Sequence, residues 1–102
     1  MTNSPGIEEV METISQFGRE LNDVNIEFLN TDVDTALTFA RIALVAEPRS
    51  EHRARLTAKA KRAYVTIAQF LPRVTFTPQE EWKLGKKLRL LERALLVLGN
   101  AP

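Results

Sequence analysis

From Ile7 onward, apolar residues return at Val10, Ile14, Phe17, Leu21, Val24 and Phe28, in steps of 3, 4, 3, 4, 3 and 4. The mean step of 3.5 is the period of a helix whose apolar seam faces another helix. A strand would alternate every second residue, and only Val74-Thr75-Phe76-Thr77 does so here. Four residues do not build a sheet. The seam therefore sets the class: helices that must find apolar cover.

Caps and breakers divide the rest of the chain. Ser4-Pro5 suits a helix start, with Ser as N-cap and Pro in the first turn. Asn30-Thr31-Asp32 punctuates, and Thr31 with Asp34 reads as a capping box in which Asp replaces Glu. Residues 32–46 leave little polar surface, which predicts a helix buried on all sides, with Leu37 and Leu44 both nearly inaccessible. Glu47-Pro48-Arg49-Ser50 ends it, because the residue before Pro avoids the α region. Leu56, Ala60, Ala63, Ile67 and Phe70 trace a further helix, stopped by Pro72. Thr77-Pro78-Gln79-Glu80 opens the last one, with Leu84, Leu88, Leu91, Leu95 and Leu98 along its core face and Gly99 as its stop.

The expected architecture is all-α: one domain over 1–102, an antiparallel up-and-down bundle of four helices at about 5–29, 32–46, 50–71 and 78–98. The second helix is expected at its centre, with Val74 and Phe76 plugging one end. Ala36, Ala40, Ala43 and Pro48 fall at the spacing of the small residues and closing Pro in the second helix of a tetratricopeptide repeat. This half-motif resembles a helical hairpin of that family, which implies close helix–helix contact. Glu20, Asp23, Val24 and Glu27 stand where the family prefers an aromatic, Leu, Gly and Tyr, so no peptide-binding residues are carried over.

Charge is split along the chain. Residues 1–34 hold eight acids and one base, whereas 35–102 hold thirteen bases and five acids, which gives −7 and +8 within a net +1. The expectation is that the acidic first helix docks on the basic surface of the third and fourth. Arg55, Lys59, Arg62 and Arg73 form a basic flank that offers nucleic acid an alternative landing site. A sequence pI of about 8.1 and few aromatics outside the predicted core weigh against that alternative.

Chemistry is sparse. Cysteine is absent and His52 is the one histidine, so neither a thiol nucleophile nor a multi-histidine metal site forms within one chain. No enzymatic activity, cofactor or metal is expected. No apolar run approaches a membrane span, and the acidic N-terminus is unlike a signal peptide, so the expected location is cytoplasmic. On the fourth helix Leu90, Ala94 and Val97 lie together, away from the core-facing leucines. They form the expected contact with another copy of the chain or with another protein. The predicted role is a non-enzymatic interaction or self-association module.

Overall fold

The computed structural model describes residues 6–100, so the Ser4-Pro5 start lies outside the described residues. Three helices are present rather than four: α1 over Ile7–Val45, α2 over Glu51–Phe70 and α3 over Pro78–Asn100. A single 3-10 turn, Leu71–Arg73, follows α2, and the described residues contain no strand. The four-helix bundle is thus corrected to an extended helix with two shorter helices folded against one of its faces. α3 runs through Gly99 to Asn100 rather than stopping before it.

The expected break at 30–32 is absent because packing carries the helix across it. Ile26, Leu29, Val33, Ala36, Ala40 and Ala43 are all buried and recur at steps of 3, 4, 3, 4 and 3 straight through the polar triplet. Asn30 and Thr35 keep their side chains inside the helix, donating to the carbonyls of Ile26 and Thr31 at 3.1 and 2.9 Å. Their modest intrinsic cost is overridden, since neither Gly nor Pro interrupts the backbone there. Gly18, Asn22 and Asn25 likewise sit within continuous helix.

Residues 32–45 pack against both other helices but are not buried all round. Leu37 is 7% exposed, whereas Leu44 is 37% exposed and Ile42 and Val45 also meet solvent. The many apolar residues of this segment serve two faces, of which the fold covers one.

Ala36, Ala40 and Ala43 are completely inaccessible within a core that also takes Leu56, Ala60 and Ile67 from α2 and Leu84, Leu91 and Leu98 from α3. Three alanines in register let helix backbones approach closely. The connections are locally specified. Ser50 Oγ accepts from Arg53 N–H at 3.1 Å, capping α2. Thr77 and Glu80 close a reciprocal box, with Thr77 N–H donating to Glu80 Oε1 at 2.9 Å and Glu80 N–H to Thr77 Oγ1 at 3.2 Å. Val74 and Phe76 are half-buried against the core.

The overall shape departs most from a bundle. Its longest dimension is 74 Å and its radius of gyration is 19.4 Å. A compact chain of this length would have a radius of gyration of about 13 Å. The difference lies in α1, whose 39 residues span about 58 Å at 1.5 Å per residue. Its first turns project beyond the body formed with α2 and α3.

Candidate interaction surface on the first helix

Every described residue from Gly6 to Leu21 is exposed. The acidic segment therefore does not dock on the basic helices of its own chain. The one ion pair among the described residues is Lys87 Nζ to Asp34 Oδ1 at 2.9 Å, far along α1. The projecting arm ends at Asn22, which is fixed to the linker before α3. Asn22 Nδ2 donates to the Thr75 carbonyl and Thr75 N–H donates to Asn22 Oδ1, both at 2.8 Å. A little further on, Phe28 meets Phe70 of α2 with ring centroids 5.9 Å apart.

The seam that dominates the sequence lies on this arm from Ile7 to Leu21 and is uncovered there; Val24 stays exposed just beyond it, and Phe28 is covered in part by Phe70. Exposure runs from 42% at Val10 to 82% at Ile7, with Ile14, Phe17, Leu21, Val24 and Phe28 between those limits. Assigning Ile7 to position a of a heptad puts Ile14, Leu21 and Phe28 at a and Val10, Phe17 and Val24 at d. The same register continues through Thr31, Thr35, Thr38, Ile42 and Val45, all exposed as well. Thr35 and Thr38 turn their hydroxyls onto the Thr31 and Asp34 carbonyls at 2.9 and 3.0 Å. The core stripe Ile26, Leu29, Val33, Ala36, Ala40 and Ala43 falls at positions b and f, the face opposite a and d. One helix thus carries two faces, one closed by its own chain and one open.

The surface expected on the last helix is smaller. Leu90 is 49% and Val97 56% exposed, while Ala94 is half-buried and packs against the core. Of the basic flank, Arg55 and Arg62 point into solvent, whereas Lys59 Nζ stands 5.6 Å from the Phe39 ring centroid. The Arg73 guanidinium sits at the same 5.6 Å from the Phe70 ring. Two of the four cations therefore cap aromatics of their own chain. His52 is exposed in the first turn of α2.

Other polar geometry is structural. Tyr64 Oη donates to Glu92 Oε1 at 2.8 Å, clasping α2 to α3, and that bond, aided by partial burial and the negative charge of Glu92, raises the phenol pKa above its usual 10.0. No described helix is long and apolar enough to cross a membrane, and no described group of three His, Asp or Glu side chains is placed to hold a metal ion.

No protein-family model matches the chain, and neither a curated protein nor a solved structure is significantly similar to it. The spacing marks the seam, but its expected cover, the basic surface of the last two helices, is not supplied by this chain between Gly6 and Leu21. What separates the two faces is the second 3-4 stripe from Ile26 to Ala43, which takes up α2 and α3 and leaves the seam from Ile7 to Val24 open.

Proposed function

We propose that the protein is a non-enzymatic self-association module whose working surface is the open face of α1. The observation that carries this reading is the exposed seam that runs from Ile7 to Leu21 on a projecting arm and on to Val24. Isolated helices of about 15 residues are marginal in water, and this arm includes Gly18, which costs a further ~1 kcal/mol relative to Ala. A row of large apolar side chains on such an arm is stabilised when another helix covers it. Contiguous exposed apolar surface of this extent marks an interaction site.

Sedimentation velocity over a concentration series tests the reading. The wild-type chain is expected to sediment above monomer mass at micromolar concentration. High salt should leave the assembly intact or strengthen it, because apolar contact is not screened whereas repulsion between acidic arms is. Phe17→Glu, a change on the arm and outside the core, should give a folded monomer. A wild-type monomer at every concentration contradicts the proposal. Binding to nucleic acid that collapses with salt would instead favour the Arg55 and Arg62 flank of α2.

A further inference from the structure

We infer that the occupant of the α1 arm is the same arm of a second copy, running antiparallel, with Ile14 of each chain against Phe17 of the other. This rests on the self-association reading above and specifies its geometry.

The arm exposes enough apolar area for an interface. The exposed fractions of Ile7, Val10, Met11, Ile14, Phe17, Leu21 and Val24 amount to roughly 600 Å² of apolar side chain, taking about 150 Å² for each when fully exposed, the lower end of the aromatic range. A standard specific interface takes about 800 Å² from each partner. Little more than half of such an interface is apolar, so the seam supplies that share without recruiting α2 or α3.

Layer matching comes next. In an antiparallel pair, each position a meets a position d of the other helix. Centring the pair between Ile14 and Phe17 sets Ile7 against Val24, Val10 against Leu21 and Ile14 against Phe17. All six layers, counting both halves, are then apolar. Sliding toward a full overlap of α1 would instead set Ile14, Phe17 and Leu21 against Thr38, Thr35 and Thr31. The arm-on-arm register keeps the threonines out of the seam.

The flanks point the same way. Positions e of the two chains meet in an antiparallel pair, and here Met11 falls beside Gly18 of the second copy. A Cβ added at Gly18 meets nothing within 4 Å in the single chain, so the glycine leaves room for the methionine. Positions g bring Thr13 beside Glu20, with no acid against acid. A parallel pair in the same heptads would stack Phe17 on Phe17 and Phe28 on Phe28, and would set Glu27 against Asp32.

Charge decides the direction. Residues 7–24 carry Glu8, Glu9, Glu12, Glu20 and Asp23 against Arg19 alone, a net −4. Parallel arms would gather six carboxylates, Glu8, Glu9 and Glu12 from both copies, at one end. Antiparallel arms keep these tips apart. The two bodies then sit at opposite ends of the paired arms.

Disulfide trapping tests the inference cleanly because the chain has no cysteine of its own. Val10→Cys and Leu21→Cys chains are prepared separately, then oxidised alone and as a mixture. In the proposed register the mixture should cross-link rapidly, since residue 10 of one chain abuts residue 21 of the other. Val10→Cys alone should cross-link at least about tenfold more slowly, its two thiols lying about 16 Å apart along the axis, beyond the ~7 Å Cα separation a disulfide tolerates. Ile14→Cys mixed with Phe17→Cys provides a second pair, and circular dichroism confirms that each variant is folded. Fast trapping of Val10→Cys alone overturns the antiparallel arrangement while leaving self-association standing. A dimer by sedimentation in which neither mixture cross-links also overturns it. A wild-type monomer removes the reading beneath it, so the two failures are distinguishable.

Discussion

Two leucines on α1, eight residues apart, should respond to the same truncation in opposite ways. Leu29 is completely buried in the core, whereas Leu21 is 48% exposed on the arm. Leu29→Ala removes three buried carbons, about 2.4 kcal/mol at ~0.8 kcal/mol each. Residual cavity brings the expected cost to about 3–5 kcal/mol. Leu21→Ala in a single chain forfeits roughly half the transfer free energy and leaves no cavity, about 1 kcal/mol. The assay is thermal unfolding by circular dichroism across a protein concentration series. Association stabilises the fold by mass action, so the wild-type midpoint should climb with concentration. Leu29→Ala should lower the midpoint at every concentration and keep that climb. Leu21→Ala should nearly match wild type at high dilution and lose most of the climb. A cost above about 3 kcal/mol for Leu21→Ala at dilution would place that residue in the chain's own core and refute the two-face assignment.

Three further outcomes follow from single contacts. Asn22→Ala breaks both hydrogen bonds to Thr75 and should cost about 1–2 kcal/mol, with faster amide exchange at Thr75; an unchanged Thr75 amide would show that the arm is not anchored there. Tyr64 is held protonated by its bond to Glu92, so its contribution is complete below the ordinary phenol pKa and disappears as pH rises through the raised value. Tyr64→Phe should cost at most about 1 kcal/mol at neutral pH, the pair being near the surface, and should lose less stability than wild type in alkaline urea titrations; parallel pH profiles would contradict this. Leu90→Glu should fold and associate like wild type, and its dissociation by sedimentation would move the interface to α3.

The helical class, the extent of α2, the start of α3 and the Thr77–Glu80 box were legible because each depends on a local signal. Ser50 and Thr77 cap where their side chains can reach a backbone N–H, whatever the tertiary fold. Asn30-Thr31-Asp32 misled for the converse reason. Its preference for a break is worth tenths of a kcal/mol per residue, while the stripe from Ile26 to Ala43 buries six side chains across it. The seam posed a different problem. Periodicity states that a face needs cover, but Ile7 to Phe28 carry no mark of which chain supplies it. Only the positions of α2 and α3 on the opposite face show that the seam is left open. The same reason explains Leu44, which shares its helix with buried Leu37 yet is exposed.

Hydrogen exchange over a concentration series tests the central claim most directly, because it reads each face of α1 separately. An unpaired arm of about 15 residues exchanges through fraying. If a second copy covers the seam, amides over residues 7–21 should gain protection as concentration rises, while those over 29–43, closed by α2 and α3, stay equally slow throughout. Fast exchange over 7–21 at every concentration, in a chain whose core remains protected, would contradict the account.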